Sequence, residues 1–269
     1  MATMKQIEPL RGHHRSVYGV VEIKDSNLLL SSSADSTIRL WDLSNNTTIR
    51  IFEGHQDIVK CILVNEKNHE IITGSYDGEI RVWDMNSGKC IYQFKDPQYG
   101  QITSMCWKKY NQRNEGGDKQ SFIFSSSDGN VFDFETKKLV QGMEGKKKQG
   151  IVCMLSSKKT NEIFCVGKEG TMKIFKNDNL QVLCNINHQT TTGVTASCLC
   201  FDGDASHLWI GLSNGSVSCF DIENQYISYT SAAHSEPIRS VSFIENNGVK
   251  YLVTGSQDCS VKIWKLDYY

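Results

Sequence analysis

The chain has 269 residues, a formal net charge of −1, three prolines and ten cysteines. That length can bury a substantial core in one domain or two, and a near-neutral balance gives no global pull toward nucleic acid or membrane. The cysteines are spread singly through apolar runs, without a CxxC, so they read as small hydrophobes rather than a disulfide framework. Cys198 and Cys200 share one face at strand spacing and do not have metal-ligand spacing. No signal-type apolar segment opens the chain, and no run approaches the ~18 apolar residues that span a bilayer. A reduced, cytoplasmic protein is expected, with the nucleus as the alternative compartment.

Residues 5–10 (Lys-Gln-Ile-Glu-Pro-Leu) read as a short strand ending at Arg11-Gly12-His13. An apolar run at Ser16–Val21, a turn at Lys24–Asn27, Leu28–Ser31, a turn holding Asp35, Thr37–Asp42 and Thr48–Phe52 follow. Short alternating runs bounded by turn residues predict a four-stranded antiparallel meander. Gly54 to Asp84 repeats the pattern with Gly54-His55, Asp77 and Trp83-Asp84. Later turn positions fall at Asp128, Glu169, Asn214 and Asp258, giving a repeat period of roughly 40–45 residues, which is that of a propeller blade. The third interval is longer because Lys108–Gln120 is a polar insertion between that unit's first two strands.

Gly12-His13 to Trp41-Asp42, Gly54-His55 to Trp83-Asp84, and Ala233-His234 to Trp264-Lys265 resemble WD40 repeats. The last departs at both signatures. The central units are eroded, with Phe134-Glu135, Phe175-Lys176 and Phe220-Asp221 in the Trp-Asp places. The resemblance implies an all-β, six-bladed WD40 β-propeller forming a single domain over 1–269. Its units run roughly 12–53, 54–94, 95–143, 144–185, 186–231 and 232–269, and strand 5–10 completes the last blade and closes the ring.

His13, Ser31, Asp35 and Trp41 superficially offer a Ser-His-Asp set, but the types recur as His55, Thr73, Asp77, Trp83 and as His234, Thr254, Asp258, Trp264. An enzyme needs one active site, so recurrence argues for architecture. The resemblance implies a hydrogen-bonded chain from turn carboxylate to imidazole to hydroxyl to indole. No phosphate-binding glycine motif appears, and no metal, cofactor or catalytic residue is expected.

Lys137 to Lys176 holds ten lysines against three glutamates. Lys146, Lys147, Lys148 and Lys168 are the candidate anion site, for acidic or phosphorylated peptide or for anionic lipid. No basic-aromatic interleaving supports nucleic-acid binding. The family resemblance implies that partners dock on the top face, through positions flanking each blade's opening residue and preceding the turn aspartate. Here these are Tyr18, Ile58, Lys60, Tyr76, Gln101, Thr103, Lys168, Thr195, Ser213, Arg239 and Gln257. The expected function is a non-catalytic scaffold that binds a protein or peptide within a multiprotein complex. The lysine-rich anion reader is the alternative, and the one route to membrane contact.

Overall fold

The computed structural model describes residues 10–266 except 25, 109–120, 136–138, 143–149, 158, 168–170, 178–179, 188–193, 247 and 259. The described residues form six antiparallel sheets and no α-helix; a single 3-10 turn, Pro97–Tyr99, is capped by the Asp96 side chain. Each sheet is a meander in which consecutive strands pair, so each sequence unit is one blade of the six-bladed propeller class. The chain forms two compact units, 1–105 and 106–269, and the division falls inside the first strand of the third blade.

In the first unit, blade 1 comprises Val17–Ile23, Leu28–Ser33, Ile38–Asp42 and Thr47–Phe52. Blade 2 comprises Val59–Asn65, Glu70–Ser75, Glu79–Asp84 and Cys90–Lys95. Alternation puts Leu30, Ile38, Leu40 and Phe52 on one face of blade 1, where they pack against Val59, Ile62, Ile71 and Trp83 of blade 2. The second strands, Leu28–Ser33 and Glu70–Ser75, are buried on both faces over most of their length, while outer-strand residues such as Ile91 and Tyr92 face solvent.

Blade 3 is Ile102–Lys108, Ser121–Ser126, Asn130–Asp133 and Leu139–Gly142. Blade 4 is Ile151–Ser157, Glu162–Gly167, Thr171–Lys176 and Val182–Asn187. Blade 5 is Ala196–Phe201, His207–Leu212, Ser216–Asp221 and Tyr226–Ala232. Blade 6 has three strands among the described residues, Ile238–Asn246, Val249–Ser256 and Val261–Leu266. Of the expected closing strand 5–10, all but Leu10 lies outside the described residues, and Leu10 is not in a strand.

The eroded blades replace polar networks with packing. In blade 4, Cys165 and Phe175 stand where blade 2 has Thr73 and Trp83, and both are buried. Blade 3 stacks Phe122 on Phe134 with ring centroids 4.2 Å apart. It also buries an ion pair, Lys108 Nζ to Asp133 Oδ2 at 2.6 Å. Of the expected insertion at Lys108–Gln120, Lys108 ends the first strand and the remainder lies outside the described residues.

Candidate functional site

Three blades carry the same side-chain chain. In blade 1, the His13 Nδ1 to Asp35 Oδ2 distance is 2.8 Å and His13 Nε2 to Ser31 Oγ is 2.7 Å, while Trp41 Nε1 donates to Ser31 Oγ at 2.8 Å. Blade 2 repeats it through His55, Asp77, Thr73 and Trp83 at 2.8, 2.8 and 2.9 Å. Blade 6 does so through His234, Asp258, Thr254 and Trp264 at 2.9, 2.8 and 2.9 Å. An Nδ1–H that donates to the carboxylate leaves Nε2 to accept the hydroxyl proton. The hydroxyl oxygen then accepts the indole N–H, so every member is satisfied.

Burial raises the Asp77 carboxyl, but hydrogen bonds from His55, Gln56 and Glu79 outweigh it and bring it down to about 2. Burial is likewise opposed at Asp35, where bonds from Thr37, His13 and His14 hold the carboxyl well below its ordinary value. At Asp258 the Ser260 hydroxyl is the main depressing influence, with His234 adding to it. Ser31, Thr73 and Thr254 are buried and doubly bonded, so none is presented as a nucleophile. His55, Asp77 and Glu79 bring potential ligand atoms within 4.8 Å of one another. Those atoms are already committed: Arg81 chelates Glu79 at 2.8 and 2.9 Å, and His55 holds Asp77.

The side chains aimed away from the core are set by a recurring backbone irregularity. In blades 1, 2, 4, 5 and 6 the first strand has a register shift at its second residue, so that two residues oppose one. Such a bulge leaves its extra residue out of the ladder and re-aims its side chain. The extra residues are Tyr18, Lys60, Val152, Ser197 and Arg239. In blades 1, 2, 5 and 6, the residue before the turn position donates its N–H back to the chain entering the blade. These bonds are Ala34 to Ser16 at 2.8 Å, Tyr76 to Ile58 at 3.0 Å, Ser213 to Thr195 at 2.8 Å and Gln257 to Pro237 at 3.0 Å. Bulge and turn together form the blade's rim.

In the first unit the rim gathers two tyrosines and a lysine. The Lys60 ammonium lies 4.1 Å from the Tyr18 ring centroid, a cation–π arrangement worth about 0.5–1 kcal/mol when exposed. Tyr18 is 46% exposed, and Tyr76 and Ile58 are half-buried beside it. Burial pushes the Tyr76 phenol up, and Tyr18, Cys61 and the Asp57 carboxylate add to the effect. Gln101 is exposed and Thr103 half-buried at the start of blade 3. In the second unit, Thr195 N donates to Ser213 Oγ at 2.8 Å, and Arg239 Nη2 donates to Gln257 Oε1 at 2.8 Å. Ser197 and Val152 are bulge positions that sequence spacing did not single out. The opening of the strand gives the signal for them, since the residue after Ile151 or Ala196 takes the place Lys60 takes after Val59.

Lys168, Lys146, Lys147 and Lys148 lie outside the described residues. Of the other lysines in that run, Lys173 is buried and Lys159 Nζ donates to the Asp204 carbonyl at 2.6 Å. Sequence reasoning also passed over the blade 5 turn, where buried Asp202 accepts from Ser206 and His207 at 2.8–3.1 Å. A cavity of about 600 Å³ opens between the outer strands of blade 5 and blade 6, lined in part by Trp209, Cys219, Tyr229, Leu252 and Trp264.

Repeated antiparallel meanders, three of them carrying the same polar network and five opening on the same bulge, define a propeller-type repeat protein. The chain carries WD40 repeats: the family model "WD domain, G-beta repeat" matches residues 4–42, 46–84 and 225–265, and the six sheets are those of a six-bladed β-propeller. Among curated proteins it is 42% identical over 52 residues to mouse F-box/WD repeat-containing protein 10, covering 19% of this chain and 5% of that protein. It is 40% identical over 55 residues to Arabidopsis thaliana E3 ubiquitin-protein ligase COP1, covering 20% of this chain and 7% of that protein. Human apoptotic protease-activating factor 1 is 23% identical over 291 residues, covering 89% of this chain and 22% of that protein. The chain thus spans less than a quarter of the length of each of these relatives.

Proposed function

We propose that the chain is a non-catalytic interaction scaffold that holds a protein or peptide partner on the rim formed by its bulges and turns. The observation that carries this reading is the Tyr18–Lys60–Tyr76 group of blades 1 and 2. A bulge turns Tyr18 and Lys60 out of their ladders, and their rings and ammonium stand together on a rigid sheet. Tyrosine is among the residue types that anchor interfaces most often, and the Lys60 ammonium lies over the Tyr18 ring. Support also comes from the polar networks, whose hydroxyls and imidazoles are saturated by one another and leave no activated nucleophile. The partner complex is cytoplasmic or nuclear in this reading. Among the described residues no helix is long and apolar enough to cross a membrane.

The test is affinity purification of the wild-type chain against Tyr18→Ala/Tyr76→Ala, with thermal melting run in parallel. Partners that drop at least about tenfold in the variant while melting is unchanged support the rim. An unchanged partner set refutes it. No observation among the described residues favours the lysine-rich anion site as a second reading.

A further inference from the structure

Successive blades meet through matching positions, and the junction of blades 5 and 6 fills them differently from the junction of blades 1 and 2. In the first unit, Leu30, Leu40 and Phe52 of blade 1 pack on Ile71, Trp83 and Met85 of blade 2. Phe52 is fully buried and stands edge-on to Trp83, with ring centroids 6.0 Å apart and an interplanar angle of 72°. Strand pairing gives the counterparts in the second unit. Phe52 pairs with Ile38 as Ser231 pairs with Val217, and Leu40 pairs with Leu30 as Cys219 pairs with Trp209. Trp264 of blade 6 takes the place of Trp83, its indole donating to Thr254 as that of Trp83 donates to Thr73. A serine therefore stands where the first unit has a buried phenylalanine, and a cysteine where it has a leucine. The cavity of about 600 Å³ lies at these positions, lined in part by Trp209, Cys219, Tyr229, Ser231, Leu252 and Trp264. Trp209 is bulkier than its counterpart Leu30, and it brings a polar atom, an indole Nε1 that is buried without a hydrogen-bond partner.

We propose that the cavity between blades 5 and 6 binds a small planar aromatic molecule that carries a hydrogen-bond acceptor. The volume falls within the roughly 300–1,000 Å³ of small-molecule sites, and a mostly apolar, aromatic lining with a buried donor is how such sites hold and orient a ligand. A ring of the ligand takes the place that Phe52 fills in the first unit, edge-on to Trp264. A carbonyl oxygen or ring nitrogen accepts from Trp209 Nε1, which otherwise bears the cost of a buried, unpaired donor. The site uses neither bulge nor turn, so it stands independently of the rim of blades 1 and 2.

The probe is coumarin, a planar ring system with a carbonyl oxygen, titrated into the isotope-labelled intact chain and followed by nuclear magnetic resonance. The five tryptophans give five indole N–H resonances, and the one missing from Trp209→Phe belongs to Trp209. That resonance is expected to move with coumarin and to saturate with a dissociation constant of about a millimolar or lower, the order a fragment of this size reaches. Trp209→Phe, followed through its backbone amides, should bind about two- to tenfold more weakly. Ser231→Phe and Cys219→Leu restore the side chains of the blade 1–2 junction, so each should melt no lower than the wild type, and Ser231→Phe should weaken coumarin at least about tenfold. A Trp209 resonance that does not move saturably overturns the proposal. So does coumarin binding that Ser231→Phe leaves intact, which puts the probe elsewhere. Lower melting of both filled variants overturns it too, because the space is then held by the chain's own residues.

Discussion

Replacing Thr73 by valine removes one hydroxyl and almost no volume from the centre of the blade 2 network. Its Oγ1 bonds His55 Nε2 at 2.8 Å and accepts from Trp83 Nε1 at 2.9 Å, in a residue with no exposed surface. The change strands a buried indole N–H and a buried imidazole nitrogen, each costing about 1–3 kcal/mol when left without a partner. Partial relaxation and the gain of a methyl lower the sum, so the expected loss is about 2–4 kcal/mol. Blade 4 supplies the control: Cys165 and Phe175 occupy the matching positions and pack without such a chain. Thr73→Val in a Trp83→Phe background should therefore cost less than in the wild type, with a coupling of about 1 kcal/mol or more. Urea unfolding of the two single variants and the double gives the cycle. A single-variant loss below about 0.5 kcal/mol, or strict additivity, would refute the claim that the network acts as a unit.

Acid should unfold the chain partly through the same carboxylates. The folded-state value of Asp77 is depressed from 3.8 to about 2, so its contribution is fully present above about pH 4 and lost as pH falls through about 2. Its size is about 2 kcal/mol, and Asp77→Asn should flatten the stability profile in that window, as followed by urea titrations at a series of pH values. In blade 3, Lys108→Met takes the ammonium away from the buried Asp133 carboxylate and should cost about 3–5 kcal/mol, whereas Lys108→Met/Asp133→Leu should recover most of it in the same assay. Gly215 sits at φ +80°, and a Cβ there would overlap the His234 carbonyl. Gly215→Ala should lower stability by at least about 1 kcal/mol, measured by the shift in melting.

Blades 1, 2 and 6 were legible because a histidine, a turn carboxylate and a tryptophan recur at nearly constant offsets. The eroded blades were legible from spacing and alternation, although Phe134, Phe175 and Phe220 had replaced the tryptophan. Charge was the least reliable guide. Lys108 falls in the expected polar insertion and Lys173 in the lysine-rich run, yet both are buried in strands, because a long apolar stem can lie in a blade when its ammonium finds a partner. The rim residues Tyr18, Lys60 and Arg239 were placed by family position, and the physical reason, a bulge at the second residue of the strand, is invisible to a period-two pattern.

The rim itself is tested most directly by contact. A photo-crosslinking residue placed at Tyr18 reports what touches the bulge, and the same residue at Tyr92, 53% exposed on an outer strand, reports chance encounter. The account predicts that a discrete partner crosslinks from position 18 and not from position 92. Crosslinks from position 92 with none from position 18 would contradict it.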